Sequence, residues 1–283
     1  MTSAVEDLVA LLDLEPIEVN IFRGAQPRDE NPLLQRVFGG QVAGQALVAA
    51  ARTAEPERSI HSLHAYFLRP GDMNVPILYE VDRVRDGRSF TTRRVVAIQH
   101  GKTIFNMSVS FQVPEEGYEH QAPMPDVPGP DELLTFQERL QAGGLEWTGK
   151  GRPIDLRHVE DPVYINRQEG RTTQHVWFRA AGTLPDDPIL HTCIVTYASD
   201  MTLLDTSLLP HGKTFGDGTL QMASLDHAMW FHRPFRADEW LLYAQSTPSA
   251  SGGRGLAQGS IYTADGQLAV SVVQEGLIRT GRR

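Results

Sequence analysis

The chain has 283 residues, which is long enough for one large domain or two ordinary ones, each with its own hydrophobic core. Its 41% hydrophobic and 22% charged residues are typical of a globular protein, and its net charge of −9 argues against a nucleic-acid or anionic-lipid surface. A small anionic ligand is not excluded, because a local arginine cluster can bind phosphate on an acidic protein.

The N-terminal segment predicts a short amphipathic helix, with Leu8, Leu11 and Leu12 on one side. Its early acidic residues and the lack of a basic region argue against a signal peptide. No apolar stretch approaches the roughly 20 residues that a membrane span needs. Cys193 is the only cysteine, so an intrachain disulfide is impossible and a cytoplasmic location is expected.

The first half combines one predicted helix with an antiparallel meander. Residues Gln41–Ala54 carry alanine and apolar residues at helical spacing, and Phe38-Gly39-Gly40 introduces them. The turn dipeptides Asp86-Gly87 and His100-Gly101 separate three runs rich in β-branched and aromatic residues, which is a strong hairpin signal. These runs are Ile77–Arg85, Ser89–Gln99 and Lys102–Gln112.

A proline-rich run follows the first meander. Proline fixes φ and lacks an amide hydrogen, so residues 114–130 are predicted to be an extended linker outside any sheet. The predicted organisation is an N-terminal unit over residues 1–113, this linker, and a C-terminal unit over residues 131–283.

The second half repeats the plan of the first. Asp200–Leu209 predicts a helix with apolar residues on one face, introduced by Tyr197-Ala198-Ser199. Turn dipeptides at Gly252-Gly253 and Asp265-Gly266 predict a second meander. Its three strands are Trp240–Ser249, Arg254–Tyr262 and Leu268–Arg279.

A short motif also occurs in both halves. Tyr66-Phe67-Leu68-Arg69-Pro70 is echoed by Trp230-Phe231-His232-Arg233-Pro234, and a Ser-Leu pair precedes each, at Ser62-Leu63 and Ser224-Leu225. The shared motif and the matched order of elements predict an internal duplication. An antiparallel sheet wrapped around a long helix, present twice, predicts an α+β double hot-dog.

Several sequence blocks together carry a specific family resemblance. In the second half they are Tyr197-Ala198-Ser199-Asp200, Leu209-Pro210-His211-Gly212, the run from Ser224 to Pro234, and Val273-Gln274-Glu275-Gly276. In the first half they are the runs from Phe38 to Ala46 and from His64 to Asp72. The blocks resemble those of acyl-CoA thioesterase II and cover nearly the whole chain in the expected order.

The resemblance implies an enzyme that hydrolyses fatty acyl-CoA to free fatty acid and CoA. Its catalytic trio corresponds to Asp200 at the start of the second helix, Ser224 on the next strand and Gln274 on the last strand. No cofactor is implied, the expected partner is the acyl-CoA substrate, and self-association into dimers or tetramers is expected. No nucleic acid partner is expected.

The three residue types suit thioester hydrolysis. A carboxylate such as Asp200 can accept a proton from water as a general base. Ser224 and Gln274 carry hydrogen-bond donors and acceptors that can hold the same water. Each residue also has a simpler interpretation: Asp200 as a helix N-cap, Ser224 as a strand hydroxyl and Gln274 as a solvent-facing strand residue.

Four further residues are candidates for substrate binding. Gly39 and Gly40 would let backbone N–H groups at a helix N-terminus hold the oxyanion. Gln41 follows them, and Arg254 could reach the CoA phosphates. Gln41 occupies the place in the first helix that Asp200 holds in the second, and an amide cannot act as a base, so one active site per chain is expected.

Other chemistry has less support in the sequence. The histidines and the lone cysteine show no metal-binding spacing, so no metal site is expected. His227, close after Ser224, is interpreted as structural, and Cys193 as a buried inert thiol.

Two alternative functions remain open. A hot-dog enoyl-CoA hydratase or dehydratase would place a His shortly after the Asp on the same helix, but no His precedes His211. A non-catalytic acyl-CoA-binding protein would have no need of an intact trio.

Overall fold

The computed structural model describes residues 2–26, 36–144, 151–215, 217–218 and 220–281. Its helices are α1 (Ala4–Leu12), α2 (Gly39–Ala51), α3 (Phe136–Ala142) and α4 (Pro188–Ser199), with 3₁₀ segments at Pro130–Glu132 and Leu204–His211. Its strands are β1 (Glu15–Glu18), β2 (Ile21–Gly24), β3 (Ser59–Phe67), β4 (Ile77–Asp86), β5 (Phe90–Gln99), β6 (Lys102–Gln112), β7 (Ile154–His158), β8 (Thr173–Ala180), β9 (Leu220–Ser224), β10 (Asp226–Phe231), β11 (Leu241–Ser251), β12 (Arg254–Thr263) and β13 (Leu268–Thr280). Within the described ranges, no helix is long and apolar enough to cross a bilayer.

The strands form one antiparallel sheet in the order β1-β2-β4-β5-β6-β3-β10-β13-β12-β11-β8-β7, with β9 also paired to β13. The predicted meanders are β4–β6 and β11–β13, and their ends differ from the prediction by at most two residues. Positive φ angles at His100, Gly101, Gly252 and Gly253 allow the tight turns that the dipeptides predicted.

The two halves meet where β3 pairs with β10, so the two predicted sheets join edge to edge into one. In this pairing Tyr66 lies opposite Asp226, His64 opposite Ala228, and Ser62 opposite Trp230. Tyr66 and Trp230, which begin the two copies of the repeated motif, therefore occupy equivalent places about an approximate two-fold axis. The same axis relates Ser62 to Asp226, so the Ser-Leu pairs that preceded the two motifs are not structural equivalents.

Helices α2 and α4 pack against each other in antiparallel orientation on one side of the sheet. Glycines of α2 make the close contacts: a Cβ on Gly40 would lie 2.3 Å from the Tyr197 carbonyl oxygen, and one on Gly44 would lie 3.3 Å from that of Cys193. The N-terminus of α2 therefore lies beside the C-terminus of α4.

The helix predicted over Asp200–Leu209 is wrong. The long helix of the second half is α4, which ends at its C-cap Asp200, and Leu204–His211 forms a 3₁₀ segment that contains Pro210. Asp187 caps the start of α4 by accepting the Ile189 N–H. Helix α4 is buried on several sides, so its sequence shows no single apolar face with helical spacing. The residues after Asp200 do show such spacing, but Pro210 disfavours an α-helix there. The first helix begins at Gly39 and ends at Ala51, slightly earlier than predicted.

The proline-rich segment has neither helix nor strand between residues 113 and 129. It lies against the second half, where the Trp177 indole N–H donates to the Pro128 carbonyl at 2.9 Å and the Leu268 N–H donates to Gln121 at 3.0 Å. The amphipathic N-terminal helix forms as predicted, and its Leu8 and Leu12 are buried in the main core.

Candidate active site

A cavity of about 930 Å³ lies where the N-terminus of α2 meets the C-terminus of α4. Both halves line it: Gly39 and Phe67 come from the first, and Asp200 and Ser224 come from the second. A site of this kind needs both halves, because neither half alone encloses it.

The structure brings the three predicted catalytic side chains together. Gln274 Nε2 donates to Asp200 Oδ1 at 2.6 Å, and Ser224 Oγ lies 3.5 Å from the same oxygen. Asp200 comes from the end of α4, Ser224 from the end of β9 and Gln274 from the middle of β13. The N-cap interpretation of Asp200 is wrong, because this residue caps the C-terminus of its helix.

Burial raises the pKa of Asp200 to about 6, from an ordinary value of 3.8. Hydrogen bonds from Gln274, from the Gly40 N–H and from Ser224, and the charge of Arg36, each oppose part of this rise. A carboxyl group with such a pKa is ionised near neutral pH but is a stronger base than an exposed aspartate. Its properties suit proton abstraction from water.

Gln274 is fully buried, in contrast to the solvent-facing position expected for an ordinary strand residue. Its Nε2 is used by Asp200, while its Oε1 is buried and has no hydrogen-bond partner among the described residues. A buried acceptor without a partner is costly, so this oxygen remains available to a hydrogen-bond donor.

The N-terminus of α2 faces the same carboxylate. A Cβ on Gly39 would lie 2.7 Å from Asp200 Oδ2 and 3.0 Å from the Phe67 ring, so any larger residue there would displace the carboxylate. The first-turn N–H groups of a helix have no acceptor within the helix, and the N-cap residue Phe38 provides no side-chain cap. These donors, and the positive end of the helix dipole, point toward the site.

Two of the predicted substrate-binding residues lie elsewhere. Gln41 is buried, and its Nε2 donates to the Ala25 carbonyl at 3.3 Å and to Gln26 Oε1 at 3.2 Å. Arg254 lies at the start of β12, where its Nε donates to Glu275 Oε1 at 3.0 Å. Neither residue lines the cavity.

The structural counterpart of Asp200 in the first half is Arg52 and not Gln41. Arg52 is the C-cap of α2, as Asp200 is of α4, and it lines a pocket together with Asp187 and Leu190 at the start of the other helix. Its guanidinium forms an ion pair with Asp13 at 2.5 Å. A paired arginine cannot act as a base, so the equivalent end of the helix pair lacks the catalytic group.

Three charged residues of the cavity wall were not predicted: Arg36, Arg69 and Asp205. Asp205 is exposed to the cavity, and its enclosure by the cavity walls, together with the charge of Asp200, raises its pKa to about 7. Arg69 stood in the repeated motif without an assigned role, the sequence held no signal for Arg36, and the only hint for Asp205 was its closeness to Asp200 along the chain.

Other titratable groups have structural surroundings. His227 is buried in β10 with its Nε2 2.9 Å from Ser199 Oγ, and burial lowers its pKa to about 4, so its ring is neutral. Cys193 is fully buried, and burial raises the pKa of its thiol. Among the residues that the structure describes, no three His, Cys, Asp or Glu side chains are grouped to hold a metal ion.

Comparison with known proteins identifies close relatives. Residues 150–277 match the family model for acyl-CoA thioesterase, and residues 27–112 match that for the acyl-CoA thioesterase N-terminal domain. Acyl-CoA thioesterase 2 of Haemophilus influenzae is 41% identical over 99% of each chain. Among solved structures, acyl-CoA thioesterase II TesB2 of Mycobacterium marinum is 48% identical, with a TM-score of 0.81 over 98% of each chain. A protein of Alicyclobacillus acidocaldarius described as having the hot-dog fold is 19% identical with a TM-score of 0.79, which shows the fold.

Proposed function

Because this chain belongs to the acyl-CoA thioesterase II family and is an acyl-CoA thioester hydrolase, we propose that it hydrolyses fatty acyl-CoA in the cavity between α2 and α4, with Asp200 as the general base. The observation that carries this assignment is the contact of Asp200 with Gln274 and Ser224, beside the open N-terminus of α2. The base, the groups that hold the water and the donors for the oxyanion then all surround the place where the thioester carbonyl would react.

In the first step, water bound near Asp200 loses a proton to the carboxylate and attacks the thioester carbonyl carbon. The unpartnered Gln274 Oε1 accepts the second hydrogen of that water, and the Ser224 hydroxyl holds its oxygen. Positioning of this kind converts a bimolecular encounter into a reaction within one complex.

The carbonyl oxygen becomes an oxyanion in the tetrahedral intermediate. We assign its stabilisation to the Gly39 N–H and to the positive end of the α2 dipole, because the Gly40 N–H is already used by Asp200. Collapse of the intermediate breaks the carbon–sulfur bond and leaves the fatty acid and CoA. One such site per chain is proposed, since Arg52 stands where the second base would be.

The alternative functions have weaker support. A hot-dog hydratase needs a histidine beside its aspartate, and the described residues that line this cavity include none. A non-catalytic acyl-CoA-binding protein would not need a carboxylate kept basic by burial beside the two water-holding groups, Ser224 and Gln274.

We also propose a cytoplasmic location and self-association into dimers or tetramers. The single buried cysteine fits a reducing compartment, and the edge strands β1 and β7 are able to pair with further strands. Cell fractionation tests the first proposal, and light scattering coupled to size-exclusion chromatography tests the second. Recovery in a membrane or secreted fraction, or a monomeric mass, would refute them.

The catalytic assignment is tested by release of free CoA thiol from a series of saturated acyl-CoAs. We expect Asp200→Asn to lower kcat by about 10² or more, since a general base contributes at least that much. Asp155→Asn is the matched control, because Asp155 is a partly buried carboxylate that lies outside the cavity. A variant Asp200→Asn that keeps most of its turnover would show that Asp200 is not the base.

A further inference from the structure

The cavity contains a second carboxylate that the hydrolysis described above does not use. Asp205 lies in the 3₁₀ segment after Asp200, and its side chain is open to the cavity. Among the described residues Asp205 accepts no hydrogen bond and forms no ion pair, whereas Asp200 accepts a hydrogen bond from Gln274. Two carboxylates therefore face the same cavity, and of the two only Asp200 accepts hydrogen bonds from described side chains.

Asp205 is held on a fixed part of the fold. Its neighbour Thr206 is buried and accepts a hydrogen bond from Gln174 Nε2 at 3.0 Å. Thr206 also donates to Gln245 Oε1 at 3.1 Å, and Gln245 Nε2 donates to Thr202 at 2.6 Å. This buried amide network fixes the segment on both sides of Asp205, so its carboxylate has a defined place in the cavity wall.

In the part of the chain that the structure describes, few charged groups face Asp205. Asp200 faces it from the end of α4, Tyr164 from the loop after β7, and Arg36 and Arg69 from other parts of the cavity wall. Four strands pack against the 3₁₀ segment: β8 and β11 provide neutral glutamines there, and β12 and β13 meet it at Gly255 and Gly276. Enclosure by the cavity walls and the charge of Asp200 raise the pKa of Asp205 to about 7, above the pKa of about 6 for Asp200. The titrations of the two carboxyl groups are coupled, and Asp205, whose pKa is raised further, is the group of the pair that holds a proton longer as the pH rises.

We propose that Asp205 is the general acid of the reaction and that it protonates the sulfur of CoA as the tetrahedral intermediate collapses. The proposal rests on the role of Asp200 as the base. The water proton goes to Asp200, and the hydroxide forms a bond to the carbonyl carbon. The carbon–sulfur bond then breaks, its electron pair goes to sulfur, and the proton of Asp205 forms the S–H bond. The products are the carboxylic acid and the CoA thiol.

The charge of the cavity explains why such an acid is useful. A thiolate is a stronger base than a carboxylate, and its release as an anion into a partly apolar cavity is costly. With Asp205 as the acid, the carboxylate pair carries one negative charge before the reaction, on Asp200, and one after it, on Asp205. Transfer of the proton from Asp200 to Asp205 restores the starting state.

The experiment compares two thioesters of the same fatty acid: the acyl-CoA, whose leaving group is a basic alkyl thiol, and an acyl thiophenol, whose leaving group is more acidic. The rates kcat/KM of the wild type, Asp205→Asn, Asp205→Glu and the control Asp155→Asn are measured from pH 5 to pH 9. Thermal melting of each variant shows that it is folded.

We expect the wild type to show a bell-shaped pH profile on acyl-CoA. Asp205→Asn loses the descending limb and about 10²-fold in rate on acyl-CoA, but less than about 10-fold on the thiophenol ester. Asp205→Glu restores part of the lost rate. Equal losses on both esters, or a wild-type descending limb of the same size on both, would overturn the proposal. Failure of the base assignment is distinct, because Asp200→Asn would then retain activity on both esters.

Discussion

Replacement of Asp200 by asparagine should make the folded protein more stable at alkaline pH while it removes activity. Burial raises the pKa of this carboxyl group from 3.8 to about 6, so its ionised form is disfavoured in the folded state. Each pKa unit corresponds to about 1.4 kcal/mol, so two units give an upper limit of about 3 kcal/mol. An amide at this position keeps an acceptor for Gln274 Nε2 and carries no charge.

The sign of the pH dependence follows from the raised pKa. Between about pH 4 and pH 6 the folded state binds more protons than the unfolded state, so the wild type loses stability as the pH rises. Above about pH 6 the carboxyl group is ionised in both states, and the loss of folding stability has reached its full size. Asp200→Asn lacks this group, so its advantage should be full at pH 8 and should be mostly gone at pH 4.5.

The assay is urea denaturation followed by tryptophan fluorescence at these two pH values. The control Asp86→Asn should show the opposite sign, because the hydrogen bond from Arg93 lowers the pKa of Asp86. Equal stability of wild type and Asp200→Asn at pH 8, or an equal difference at both pH values, would refute the reasoning.

Three further predictions concern the same helix pair. Gly39→Ala should lower kcat by about 10² with little loss of stability, because its Cβ would displace the Asp200 carboxylate that lies 2.7 Å away; normal turnover would contradict this. Gly40→Ala should instead lower the melting temperature, because its Cβ would lie 2.3 Å from a backbone oxygen of α4; an unchanged melting curve would show that the helices can separate at no cost. Cys193 should not react with a thiol reagent until the protein unfolds, since it is fully buried and its pKa is raised; rapid labelling at pH 8 would be inconsistent with its place in the core.

Local patterns account for the parts of the fold that could be predicted. Alternating apolar residues and turn dipeptides identified both meanders, because strand pairing across a tight turn depends on residues close in sequence. The second long helix was misplaced for the opposite reason. A helix buried on several sides, such as α4, has no polar face that would reveal its helical period. The residues after Asp200 have apolar spacing typical of an amphipathic helix although they do not form one.

The sequence by itself determined the α+β double hot-dog, through local periodicity, and the family, through its ordered motif blocks. The candidate trio Asp200, Ser224 and Gln274 follows from the resemblance to that family. Only the tertiary structure decided what surrounds the trio. The antiparallel packing of α2 on α4 brings Gly39 to Asp200, and the same packing places Arg52 at the opposite end of the helix pair. Such contacts join residues far apart in sequence, and their charges and burial exist only once the two halves are packed together.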